Sequence, residues 1–71
     1  MALTLFRPDP PDGPWVAVDQ SGHARLLRFD PATADGLAER MGGAPAGEFR
    51  GRWDDIAGRL EIGDFIGPAP E

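Results

Sequence analysis

The chain has no cysteine, no lysine, no asparagine and no tyrosine, and only one histidine. Without cysteine, neither a disulfide nor a thiolate zinc site can staple the fold. Without lysine or cysteine, covalent catalysis is left with the hydroxyls of Thr4, Ser21 and Thr33. The single histidine, His23, sits next to a "QSG" turn signal and has no evident base–nucleophile partnership with Ser21. No apolar run approaches the ~20 residues of a membrane span. The opening "MALTLFRPDPP" places no basic leader before its short apolar stretch, so neither a signal peptide nor membrane attachment is expected, and a cytoplasmic location is. Catalysis, metal binding and a cofactor are all expected to be absent.

At 71 residues, one domain spanning 1–71 is expected, close to the lower size limit for a self-sufficient core. A chain of this size hides only roughly 60% of the surface it exposes when unfolded. With no staple available, close packing, self-association or a partner must supply the remaining stability.

"LTLF" (3–6) alternates as a short strand. The prolines of "RPDPPDGP" (7–14) lack the N–H that a central strand needs, so this segment is a stiff connector. "WVAVDQSGHARLLRF" (15–29) reads as a hairpin. With Asp19 facing His23, Val16, Val18, Ala24 and Leu26 share one face, while Trp15, Ala17, Leu27 and Phe29 share the other. Both faces are then partly apolar, and something must cover each.

"DPATADGLAERMGG" (30–43) carries a complete set of helix signals: Asp30 as N-cap, Pro31 in the first turn, and Gly42–Gly43 as the stop. Ala34, Leu37, Ala38 and Met41 form one apolar stripe. After an "APAG" loop (44–47), "EFRGRW" and "RLEIGDFIG" both alternate. Pairing Trp53 with Leu60 sets Arg52 against Glu61 and Gly51 against Ile62. A bulge at Gly63 then turns Phe65 inward and Asp64 out. A short helix over 54–60, capped by Asp54, competes with a plain loop there. The tail 67–71 is expected to be loose. The fold class is α+β in the order β-β-β-α-β-β, a small antiparallel sheet with one helix packed on a face. The apolar face left over suggests a homodimer or a partner protein.

The net charge of −5 is uneven. Residues 1–52 hold seven acids and six arginines, for −1. Residues 53–71 hold five acids and Arg59 alone, for −4. Direct contact with nucleic acid is disfavoured, since phosphates need a basic face, and attraction to a basic protein surface is favoured. The spacing in "DDIAGRLEIGD" is not that of a calcium-binding loop. Asp54, Asp55 and Asp64 are therefore read as a rim, either a solvated surface or a docking patch, with Glu61 beside them as the partner of Arg52. Trp15 either packs against the connector or the sheet, or anchors an interface from the surface.

On size, acidity and the uneven acids of "DDIAGRLEIGD" (Asp54, Asp55, Glu61 and Asp64), the chain resembles the small acidic phage-encoded inhibitors of bacterial defence, the anti-CRISPR and DNA-mimic proteins. The resemblance implies a non-catalytic protein in the host cytoplasm that occludes a basic, nucleic-acid-handling surface of a partner, such as a CRISPR effector subunit. The candidate partner-binding residues are Asp54, Asp55, Asp64, Glu61 and Trp15. The alternative is a structural or adaptor subunit of a bacterial protein complex.

Overall fold

The computed structural model describes residues 2–9 and 12–69. Among these, the elements run β1 (Ala2–Phe6), β2 (Trp15–Val18), β3 (Ala24–Leu27), α1 (Pro31–Met41), β4 (Ala46–Asp54) and β5 (Arg59–Pro68). The strands form one sheet in the order β3-β2-β1-β4-β5, antiparallel at every pairing. The α+β class and the β-β-β-α-β-β order follow the expectation from sequence. The first strand lies at the centre of the sheet, with β2 and β4 on either side of it.

The helix explains that order. Leaving β3 at one edge, the chain must cross β2 and β1 to reach β4, three strand spacings or about 14 Å. The eleven residues of α1 cover about 16 Å at the usual rise per residue, so the helix can bridge the sheet. Its ends are closed as the sequence indicates. Asp30 accepts from the Thr33 N–H at 3.4 Å and from the Thr33 hydroxyl at 2.6 Å. Gly42, in the left-handed region at φ 66°, donates its N–H to the carbonyls of Ala38 and Glu39.

The helix covers one face. Leu5 of β1, Trp15 and Ala17 of β2 and Phe49 of β4 cluster with Leu37 and Met41 in the core, and Leu3 of β1 is buried on the same side. Strand alternation puts Gly47 and Gly51 on this same face, flanking Phe49, and both are there because the space is taken. A Cβ on Gly51 would lie 2.6 Å from the Glu61 carbonyl oxygen and 2.7 Å from Leu3 Cδ1. One on Gly47 would lie 2.8 Å from the Phe65 ring and 3.1 Å from Met41 Cγ.

The β2–β3 register pairs Val18 with Ala24 and Trp15 with Leu27, and Asp19 N–H donates to the His23 carbonyl. β4 and β5 pair Trp53 with Leu60, Arg52 with Glu61 and Gly51 with Ile62. Both registers match the sequence reading. Between the pairs Gly51–Ile62 and Phe49–Phe65, β5 carries one extra residue at Gly63–Asp64. This bulge turns Phe65 inward against Phe49, with ring centroids 5.2 Å apart, and leaves Asp64 exposed. A second shift at Ile66 lies between Phe49–Phe65 and Glu48–Gly67.

The limits of these strands differ from the reading. Ala46 and Gly47 belong to β4 rather than to a loop, because they pair with Phe6 and Leu5. At the other end β5 runs on through Gly67 and Pro68, and the Ala69 N–H reaches the Ala46 carbonyl at 3.2 Å. Those residues were read as a loose tail, of which only 67–69 fall within the described residues. Likewise, residues 10 and 11 of the 7–14 connector lie outside them. Arg7, which opens the connector, is anchored twice: its N–H donates to the Pro45 carbonyl at 2.9 Å and its guanidinium to the Ala38 carbonyl at 3.0 Å.

Candidate functional site

Among the described residues, no element packs on the face of the sheet away from α1. Register lines up Phe6, Val16 and Leu26 in one row across β1, β2 and β3, with Ala46 of β4 continuing it. Phe6 is 43% exposed and Leu26 70% exposed, and Ile66 at the β5 bulge is also exposed. The next row holds Thr4, Val18 and Ala24, with Glu48 across from Thr4. Further along β4 the face becomes charged with Arg50, Arg52 and Asp54, which face Ala2, Glu61 and Arg59 respectively. The surface therefore grades from an apolar end to a charged end. Isolated exposed apolar residues need no explanation, but a contiguous row across adjacent strands makes this face the candidate site.

The acids read from sequence do not form one rim. Asp54 is the last residue of β4, opposite Arg59, rather than a loop residue without a cross-strand arginine. Its carboxylate accepts the Ala57 N–H at 2.9 Å and its carbonyl accepts the Gly58 N–H at 2.7 Å. Asp54 therefore builds the turn, which Gly58 closes at φ 68°; there is no helix over 54–60. The β2–β3 turn uses the same device: the Asp19 carboxylate accepts the N–H groups of Ser21 and His23 at 2.9 and 3.0 Å, and Gly22 stands at φ 85°. Side chains that hydrogen-bond their own backbone a few residues on are the usual physical role of aspartate in a turn.

Asp55 and Ile56 project from the tip of the β4–β5 hairpin, Ile56 fully exposed. Asp64 stands apart at the bulge. Glu61 is held by Arg52 Nε at 2.7 Å, with both side chains well exposed. The charge excess shrinks in space as well. The hairpin Ala46–Pro68 holds five acids and three arginines, for −2: it adds Glu48, Arg50 and Arg52 to the acids that follow them and leaves out Glu71.

Trp15 corrects the reading most plainly. Proposed as a partner-binding residue, it is 3% exposed, on an interior strand beneath α1, with its ring edge-on to Phe29 at 5.7 Å. It cannot anchor a partner from there. Phe6 is instead the exposed aromatic of the open face; it was not singled out, although the alternation of "LTLF" already sets it opposite Leu3 and Leu5.

The chemical inventory is sparse. His23 is exposed at its turn, 3.8 Å from the Asp19 carboxylate. Among the described residues no group of three or more His, Cys, Asp or Glu side chains could hold a metal ion, and no helix is long and apolar enough to cross a membrane. Compared with protein-family models, curated proteins and solved structures, the chain matches none.

Proposed function

We propose that this chain is a non-catalytic binding protein that attaches to a partner protein through the open face of its sheet. The observation that carries this reading is the row Phe6–Val16–Leu26, aligned by strand register and left uncovered in a chain with little core to spare. A small domain gains from exposing such a row only if something covers it. The acids Asp54, Asp55 and Asp64 add attraction toward a partner with a basic surround and speed the encounter.

In its particular form, the proposal is an inhibitor working in the cytoplasm of a bacterial host that occludes a basic, nucleic-acid-handling surface, as on a CRISPR effector. Small size, net charge of −5 and the resemblance to anti-CRISPR proteins support it. The partner is protein and not nucleic acid, since the apolar row offers phosphates nothing.

The test compares wild type with Leu26→Asp in affinity capture from a bacterial lysate. Leu26 is mostly exposed, so the variant should fold normally. A partner held by wild type and lost by the variant supports the open face; identical capture sets overturn it. Adding the protein to a purified CRISPR effector then decides the particular form. Inhibited target cleavage supports it. Recovery of a ribosomal or metabolic complex, with cleavage unaffected, makes the chain an adaptor. Sedimentation of the isolated protein reports the remaining outcome, a homodimer closed over the same face.

A further inference from the structure

On the helix side of the sheet, a cleft of about 450 Å³ opens between α1, the segment Arg28–Asp30 and the start of β5. Its floor is apolar, formed by Leu37, Leu60 and Ile62, and three arginines line it: Arg28, Arg40 and Arg59. These are three of the seven basic residues of an acidic chain, brought together from a loop, a helix and a strand. Like charges lining one concavity favour an anion placed between them.

The protein supplies little to balance them. Asp30 is the one carboxylate lining the cleft, leaving it at +2. That carboxylate is already engaged by the hydroxyl and N–H of Thr33, bonds that hold its pKa below the ordinary value. Among the described residues, none of the three arginines makes an ion pair. Arg40 is also pre-positioned: it donates to the Gly63 carbonyl at 2.9 Å and lies 5.3 Å from the centre of the Phe49 ring. A guanidinium carries five N–H donors in a planar fork, so Arg40 retains donors for a ligand after its bond to Gly63.

We infer that this cleft binds a small organic anion, a phosphate or carboxylate group on an apolar body. The guanidinium groups match the paired oxygens of such a group, and Leu60 and Ile62 take the apolar part. The volume lies within the range of small-molecule sites. Arg59 also faces Asp54 at the charged end of the open face, so shifts at Leu37, Arg40 and Leu60, which lie on the helix side, separate this site from the partner-binding reading.

The probes are phenyl phosphate, inorganic phosphate and phenol, titrated into isotope-labelled protein by NMR. Phenyl phosphate should give saturable shifts at the Nε–H signals of Arg28, Arg40 and Arg59 and at the amides of Thr33 and Leu60. Inorganic phosphate and phenol, each offering half of the recognition, should bind at least about tenfold more weakly. The variant Arg28→Gln changes an exposed residue beyond β3 and leaves the Asp54–Arg59 pair intact; it should retain the wild-type circular dichroism while losing about fivefold or more in affinity. Shifts that never saturate, shifts that map to Phe6 and Leu26, or phenol binding as tightly as phenyl phosphate would each overturn the inference. The phenol comparison needs no variant, so it decides even if the substitution disturbs the fold.

Discussion

The two faces of the sheet are made by the same strands and meet opposite ends. Leu3, Leu5 and Phe49 point toward α1 and are completely buried, while Phe6 and Leu26 point the other way and stay in water. Alternation along a strand assigns residues to a face but cannot say whether that face is covered. Among the described residues, one helix of three turns covers one side of a five-stranded sheet, and no second layer covers the other. The closed face therefore carries the stability, and the open one is left facing water.

The largest test of this contrast exchanges a residue on each side. Phe49→Ala should cost ~3–5 kcal/mol, as removal of a large core aromatic does, which is enough to unfold much of a domain this small. Leu26→Ser should stay within about 0.5 kcal/mol of wild type. Urea denaturation of both reads the difference, and equal costs would abolish the distinction between the faces.

A smaller test uses glycine. Gly51→Ala drives a methyl group against the Glu61 backbone and the Leu3 side chain, and should destabilise by about 1–3 kcal/mol. Gly36→Ala meets no atom within 4 Å in the interior of α1, and should stabilise by up to ~1 kcal/mol. Thermal melts should move in opposite directions. A loss at Gly36 would show that the helix sits closer to its surroundings than described.

On the open face, the exposed Arg52–Glu61 pair should contribute only a few tenths of a kcal/mol in a double-mutant cycle, and less in high salt. A coupling well above 1 kcal/mol would mean that this end of the face is shielded from water.

A last test concerns the cap at the start of α1, the helix that covers the closed face. Because its bonds to Thr33 lower the Asp30 pKa, the ionised carboxylate stabilises the folded state above the unfolded value. That contribution fades as pH falls below about 4, through the lowered folded value. Melting temperatures of wild type and Asp30→Ala should therefore differ near neutrality and converge in acid. A gap that persists at pH 2 would assign the cap to something other than the charged form.

The helix was legible to within a residue or so because its signals are local: the cap, the first-turn proline, the apolar stripe and the glycine stop all act within a few positions. The two hairpin registers and the Gly63 bulge were legible for a related reason. Each hairpin joins neighbours in sequence, and one slip would turn every inward residue outward. The two tryptophans show where this kind of reasoning stops. Trp15 and Trp53 both alternate inward, yet Trp15 is buried and Trp53 is only half covered. β1 starts at Ala2, opposite Arg50, so Trp53 extends past the central strand, where Arg25 covers its ring at 4.2 Å. Nothing local to either residue records that.

By itself, then, the sequence determined the elements, their caps and turns, the pairing within each hairpin, and the lack of any covalent staple, all of which depend on residues close together in the chain. Tertiary structure alone decided that β1 lies at the centre, that Asp54 faces an arginine, that Phe6, Val16 and Leu26 form one row, and that Arg28, Arg40 and Arg59 meet at one cleft. Those juxtapositions arise when α1 carries the chain across the sheet from β3 to β4. The crossing places residues far apart in sequence side by side, and the periodicity of a segment holds no information about neighbours outside it.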